Sequence, residues 1–212
     1  FLRHEKMQLY RKHIKRLFDF LGALLLLAAM LPVFAVVWIA VKISMGSPVL
    51  ISQRRVGLHG RIFNLYKFRT MSFDKSPDGA LLPDERRITK LGAFLRKTSL
   101  DEIAQFVNVL KGDMSFIGPR PFLDYEIAHC NPDEIKKRNE VLPGISGLAQ
   151  ISGRNNIALD EKMKKDLEYV DRLSFALDAK ICFLTILKVI FCVNSTPVNK
   201  NTVESFTKRG GR

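Results

Sequence analysis

With 212 residues, 34 Lys and Arg against 21 Asp and Glu, and a net charge of +13, the chain is long enough for one domain with its own core and basic enough to favour anionic partners: nucleic acid, anionic lipid or phosphorylated substrates. Its cysteines, Cys130, Cys182 and Cys192, are scattered, with no Cys-x-x-Cys pair and no His/Cys grouping at zinc-ligand spacing. That excludes a disulfide scaffold or zinc module, fits a reduced cytosolic environment, and leaves Cys130 beside His129 as a structural pair rather than a thiol nucleophile.

Residues 1–16 carry Arg3, Lys6, Arg11, Lys12, Lys15 and Arg16, and Leu17–Val41 is then almost wholly apolar, interrupted by Asp19 and Pro32. The run is long enough to span a bilayer, too long for a signal peptide, and unusually long and apolar for a buried core helix. Lys42, Arg54, Arg55, Arg61, Lys67 and Arg69 follow it as densely as the basic residues precede it, so both ends favour the cytoplasmic side. Pro32 lacks an N–H and crowds the carbonyl of Ala28. A helix–break–helix hairpin that enters and leaves by one face accounts for both observations; a kinked spanning helix is the alternative.

Val49–Gln53 and Ile62–Phe68 read as short strands, with Gly57 and Gly60 between them, forming a small hairpin. In Tyr66-Lys67-Phe68-Arg69-Thr70-Met71 cations alternate with aromatics, as on a base-stacking surface, but a half-buried strand has the same pattern, and beside a membrane segment it is the preferred reading. Residues 73–87 form a polar loop. Ile88–Leu95 reads as a basic amphipathic helix that lies on an anionic membrane or packs on the core.

The centre of the chain is residues 96–121. Ser99 and Glu102 have the spacing of a capping box, and Ile103, Phe106, Val107 and Leu110 supply an apolar helical face behind it, so a helix is expected from Leu100 to Lys111 with Gly112 as its stop. Asp101 and Glu102 then lie in its first turn, where free N–H groups and the helix dipole favour anions. Capping alone accounts for two such acids. Arg96, Lys97 and Arg120 close by add a second reading, a site for a metal–phosphate substrate.

Beyond the turn Gly118-Pro119-Arg120-Pro121 come a polar segment at Asn131-Pro132, a basic run at Lys136-Lys137-Arg138, and a loop at Pro143-Gly144-Ile145-Ser146-Gly147. The loop ends in Gly153-Arg154-Asn155, where Arg154 could meet a phosphate. Leu159, Met163, Leu167 and Val170 trace an amphipathic helix, Leu177–Val193 an interfacial or packed one, and from Asn194 the tail is polar and loosely held.

The ordered set of a basic N-terminus, a Pro-broken apolar run, Tyr66-Lys67-Phe68-Arg69-Thr70-Met71, Ser99-Leu100-Asp101-Glu102, Leu110-Lys111-Gly112-Asp113-Met114-Ser115-Phe116, Gly118-Pro119-Arg120-Pro121 and Pro143-Gly144-Ile145-Ser146-Gly147 closely resembles the bacterial sugar transferases. These are monotopic polyprenyl-phosphate phosphoglycosyl transferases, and the small form typified by the bacillosamine-phosphate transferase of Campylobacter glycosylation is similar. The resemblance implies a mainly helical α+β enzyme, with residues 1–45 as basic N-terminus and re-entrant membrane helix and 46–212 as one integrated catalytic domain at the cytoplasmic face of the bacterial inner membrane, carrying interfacial helices. It implies transfer of a sugar 1-phosphate from a UDP-sugar, an N-acetylated hexose derivative being favoured, to polyprenyl (undecaprenyl) phosphate with release of UMP, the first membrane step of glycoconjugate biosynthesis. Mg²⁺ is implied, with Asp101 as its protein ligand; membrane lipids are partners, nucleic acid is not, and a homodimer is compatible.

The family's Asp-Glu dyad falls on Asp101 and Glu102, as nucleophile and base; its phosphate-binding cations fall on Lys67, Arg96 and Arg120; its helix-breaking proline falls on Pro32. Leu31 stands where the family commonly has Ser, so a hydroxyl that would meet the carbonyl freed by a break is missing. The alternative from another class is a basic membrane-peripheral module that binds nucleic acid or anionic lipid without turnover.

Overall fold

The computed structural model describes residues 10–128, 130–153 and 157–191, so the expectations for Arg154 and for the tail from Asn194 lie outside the described residues. After a π-helical turn at Tyr10–Ile14, the apolar run forms helix α1, Lys15–Met45, which is about 45 Å long at 1.5 Å per residue. Pro32 lies inside this helix, and the helix–break–helix expected there does not form. One proline costs a helix about 3 kcal/mol or more, and here both halves of the helix are anchored on the same domain.

At the N-terminal end Lys15 Nζ donates to Asp178 Oδ2 at 2.7 Å, Asp19 Oδ1 accepts the Phe116 N–H at 3.0 Å, and Ala23 packs with Leu65, Val109 and Met114. At the C-terminal end Val37 and Val41 pack with Val49, Phe68, Leu95 and Ile103, and Arg69 donates to the carbonyls of Met45, Gly46 and Ser47, where a cation complements the helix dipole. The opposite face, including Leu17, Phe18, Leu24, Leu25, Val36 and Ile43, is exposed. Among the described residues α1 alone is long and apolar enough to cross a membrane.

The remainder is mainly helical with two small sheets. Strands β1 (Leu50–Val56) and β2 (Ile62–Phe68) pair antiparallel, with Gln53 opposite Leu65 and Arg55 opposite Phe63. Gln53, Arg55, Leu65 and Lys67 therefore share one face. The expected hairpin forms, but β1 continues past Gln53 through Arg54 and Arg55.

A short helix α2 (Asp84–Arg87) leads to α3 (Lys90–Thr98), whose Thr89 cap accepts the Gly92 N–H at 2.9 Å. Ser99 is left-handed, with φ 59°, and its N–H returns to the Arg96 carbonyl. The capping box expected at Ser99 and Glu102 is not made. Ser99 is committed to ending α3, and its side chain caps nothing. The next segment starts at Leu100 as expected, but as a 3₁₀ helix over Leu100–Gln105 that continues into α4 (Phe106–Lys111) and stops at Gly112, φ 88°.

Strand β3 (Ser115–Ile117), helices α5 (Asp124–Ile127) and α6 (Pro132–Arg138), strand β4 (Gly144–Ser146), and helices α7 (Leu148–Ser152), α8 (Leu159–Arg172) and α9 (Phe175–Ile190) complete the described chain. β3 and β4 pair in parallel, and a Cβ on Gly144 would collide with the backbone nitrogen of Gly118, so glycine there permits the close crossing. Tyr169, from α8, donates to the Ile117 carbonyl at 3.1 Å or to Asp178 Oδ1 at 2.7 Å, tying β3 to α9. On the outer surface of α9, Phe175, Phe183, Ile186 and Ile190 are exposed.

Candidate active site

The site around Asp101 is built from four segments. β2 presents Lys67, the last turn of α3 presents Arg96, and the turn after β3 presents Arg120, while the 3₁₀ helix sets Asp101 and Glu102 side by side. The cleft beside Asp101 is lined by Gln53, Arg55, Leu65, Lys67, Glu102, Gln105, Arg120, Pro121 and Gly144.

The turn bearing Arg120 is clamped through its backbone. Gly144 N–H donates to the Pro119 carbonyl at 2.9 Å, Arg55 Nη1 to the Pro121 carbonyl at 3.0 Å, and Arg138 to the Arg120 carbonyl. Arg138 is itself fixed by Asp166 Oδ2 at 2.8 Å and by the Phe122 ring, 3.7 Å from its guanidinium. A backbone held at three consecutive carbonyls positions the Arg120 side chain without spending that side chain on the fold. Arg120 Nη1 approaches Glu102 Oε1 at 3.4 Å, and Arg96 Nε donates to Thr70 Oγ1 at 2.9 Å.

Asp101 is only 9% exposed, yet it makes no hydrogen bond or ion pair among the described residues. Burial first, and then the adjacent Glu102, push its carboxyl up to about 7, while Lys67, Arg96 and Arg120 pull it back. Lys67 moves the other way. Burial, with Arg120 as the next cause, lowers its ammonium to about 8. Burial and then Arg120 likewise bring Arg55 down to about 10. A desolvated carboxylate without a hydrogen-bonding partner thus lies in the field of three cations, Lys67, Arg96 and Arg120.

The structure thus brings Lys67, Arg96, Asp101, Glu102 and Arg120 together. Pro32 sits on α1 and is not among the residues that line this cleft. The possible base-stacking surface is not present, because Phe68 is fully buried and β2 is a half-buried strand.

The sequence reading missed Gln53, Arg55 and Arg138. Gln53-x-Arg55 at alternate positions opposite Leu65 and Phe63 was a usable signal once β1 was extended. Arg138 had no signal, since it stands in a run of three cations and only packing reveals that it is 2% exposed.

The donor set also bears on a divalent metal. Asp101 lacks a direct partner and Glu102 is beside it, whereas no group of three or more His, Cys, Asp or Glu gathers elsewhere among the described residues. Two adjacent carboxylates suit Mg²⁺, which is held by one or two carboxylates and completed by substrate phosphates and water rather than caged by protein.

A family model for bacterial sugar transferases matches residues 10–192. The chain is 46% identical over 198 residues to the uncharacterized sugar transferase EpsL of Bacillus subtilis, spanning 93% of this chain and 97% of that protein. It is 42% identical over 188 residues to the UDP-glucose:undecaprenyl-phosphate glucose-1-phosphate transferase of Escherichia coli, covering 82% of this chain and 40% of that protein. With the undecaprenyl-phosphate galactose phosphotransferase of Salmonella typhimurium it shares 35% identity over 192 residues, covering 82% of this chain and again 40% of the relative. The chain therefore spans nearly all of one relative and well under half of the two longer ones.

Proposed function

We propose that this chain, which belongs to the bacterial sugar transferase family, moves a hexose 1-phosphate from a UDP-sugar to polyprenyl phosphate with release of UMP, the opening membrane step of polysaccharide or other glycoconjugate assembly. The observation that carries the reading is Asp101: buried, without a partner, and surrounded by Lys67, Arg96 and Arg120. A purely structural carboxylate would be paired.

In the first half-reaction an Asp101 oxygen attacks the phosphorus that bears the sugar. The bond from that phosphorus to the bridging oxygen of the diphosphate breaks, UMP leaves, and the sugar phosphate is held as an acyl phosphate. In the second, a phosphate oxygen of the lipid acceptor attacks the same phosphorus, Glu102 accepts its proton, and Asp101 is released. Splitting the transfer keeps two phosphorylated substrates from having to react while both are fully charged. Lys67, Arg96 and Arg120 neutralise the diphosphate and the departing UMP, the main demand of phosphoryl transfer. Mg²⁺, held by Asp101 with the substrate phosphates, would supply further charge neutralisation when bound. The N-acetylated donor favoured by the family resemblance stands beside the glucose and galactose in the names of the relatives.

Acceptor-free enzyme is expected to release up to one equivalent of UMP from its matching UDP-sugar in a donor panel, to gain the sugar-phosphate mass by intact-protein mass spectrometry, and to do neither as Asp101→Asn. UMP appearing only when donor and acceptor are both present would replace the covalent route by direct transfer.

We infer also that α1 lies within the cytoplasmic leaflet rather than across the bilayer. Both of its ends pack on one domain while its outer face is exposed and apolar, and basic residues flank both ends. Re-entry thus rests on anchoring at the two ends, not on a break at Pro32. Single cysteines at His13 and Ser47, in a background lacking Cys130, Cys182 and Cys192, should both be labelled only from the cytoplasmic side; labelling from opposite sides would establish a spanning helix.

A further inference from the structure

A second concavity adjoins the cleft. Pro32, Val36 and Ala40 of α1 with Leu91 and Phe94 of α3 and Leu100 line an open groove of about 400 Å³, and its walls are apolar throughout. The volume lies within the range of small-molecule sites. A groove of this kind in water would close or be covered.

Two features identify its occupant. Its mouth is continuous with the lipid-facing surface, since Leu31, Val36 and Phe94 are all exposed. Leu100 in its wall is bonded to Asp101 and stands two residues before Glu102, which lines the cleft, so the apolar groove and the cleft adjoin along this segment. A ligand that fills both must be hydrocarbon at one end and a phosphate at the other, with the phosphate terminal enough to reach the reacting carboxylate. A bilayer phospholipid has the hydrocarbon, but its phosphate is an internal diester beneath a headgroup.

We propose that this groove binds the isoprenoid chain of the polyprenyl phosphate acceptor, seating the units next to the phosphate between α1 and α3 so that the phosphate emerges at Asp101. The proposal rests on the transferase reading above and adds to it the seat of the lipid. Pro32 acquires a role here that does not involve breaking the helix: its ring forms part of the wall. Because the groove is short and open, the remainder of the chain stays in the leaflet. Acceptor affinity should therefore rise with chain length over the first few isoprene units and then level off.

The test uses full-length enzyme in nanodiscs. Ala40→Phe narrows the groove from within, and Val36→Trp obstructs it at its exposed rim, where misfolding is not a concern. Both are expected to raise KM for a long-chain polyprenyl phosphate by about tenfold, equivalent to losing roughly 50 Å² of apolar contact. A one- or two-unit prenyl phosphate should be affected less, and the acceptor-free UMP burst should stay unchanged.

In parallel, a prenyl phosphate carrying a diazirine in its first units should label the peptides holding Pro32–Ala40 and Leu91–Leu100. Unlabelled polyprenyl phosphate should compete with it and excess phospholipid should not. An unchanged KM in Val36→Trp, or equal competition by phospholipid, overturns the proposal and makes the groove a seat for bilayer lipid. Absence of the UMP burst in the unmodified enzyme would instead count against the transferase mechanism itself, so the two failures are distinct.

Discussion

Two buried aspartates in this molecule are treated in opposite ways. Asp178 accepts hydrogen bonds from Lys15 Nζ, Tyr10 Oη and Tyr169 Oη, each at 2.7 Å, and so joins the start of the apolar helix to α8 and α9. Asp101 lies in the field of Lys67, Arg96 and Arg120 and touches none of them by a hydrogen bond or ion pair. The first arrangement satisfies a charge inside the protein. The second leaves one without a partner. Asp166, held by Arg138, belongs with Asp178, although its Oδ1 has no partner. A carboxylate's burial therefore says little about its role; its list of partners distinguishes a structural group from a reactive one.

The comparison breaks most visibly at Asp101 itself. Asp101→Asn should lower turnover by about 10⁴-fold or more, as expected for removal of a covalent nucleophile, and should stabilise the fold at the same time. The ordinary carboxyl value of 3.8 is raised to about 7 in the folded state, so the protonated form is favoured by folding. That contribution to stability is complete below about pH 4 and is lost as pH rises through about 7. At pH 8 the native enzyme carries the cost of a buried charge and the Asn variant does not, so denaturant midpoints should favour Asp101→Asn at pH 8 and converge near pH 4. A variant less stable than the native enzyme at pH 8 would mean that Asp101 is paired after all.

Asp178→Ala should do the reverse. Removing it takes away the direct ion-pair partner of the buried Lys15 ammonium, and breaking such a pair costs about 3–5 kcal/mol. Urea unfolding should show this loss, while the burst amplitude per folded molecule stays near that of the native enzyme. If stability is unchanged, the network around Asp178 is not what anchors the head of α1.

The clustering of charged residues was more legible than the fold that holds it. Lys67, Arg96, Asp101, Glu102 and Arg120 could be named because charged residues beside turns and helix starts leave local traces. For Glu102 the local pattern pointed to the wrong partner. Ser99 and Glu102 match a capping box in spacing, but with one residue between two helical segments Ser99 had to adopt φ 59° to end the first, and Glu102 turns to Arg120 instead. The β3–β4 pair was invisible because three-residue strands have no measurable alternation and their pairing depends on the distant close approach of Gly118 and Gly144. Pro32 misled for a related reason. Local chemistry predicts a break, whereas contacts made by Lys15, Asp19, Val37 and Val41, far apart in sequence, keep the helix whole.

The finest test of the contrast concerns Arg120, which acts on Asp101 without bonding to it. The burst rate should rise with pH as Asp101 ionises, through about 7, and fall as Lys67 loses its proton, through about 8. Arg120 pulls both values down, by attracting the carboxylate and repelling the ammonium. Arg120→Ala should therefore move both limbs of the profile to higher pH, in addition to lowering the rate by about 10–100-fold from lost charge neutralisation. Because the Arg120 side chain is 50% exposed, water screens it, and the displacement should be roughly a few tenths of a unit, shrinking further as salt is added. Arg120→Lys retains the charge and should leave the limbs in place even where the rate falls. Damage to the fold would lower the whole profile without displacing it, so a fall in rate with unmoved limbs in Arg120→Ala would show that Asp101 is tuned by burial and its remaining neighbours, with Arg120 serving only to bind substrate.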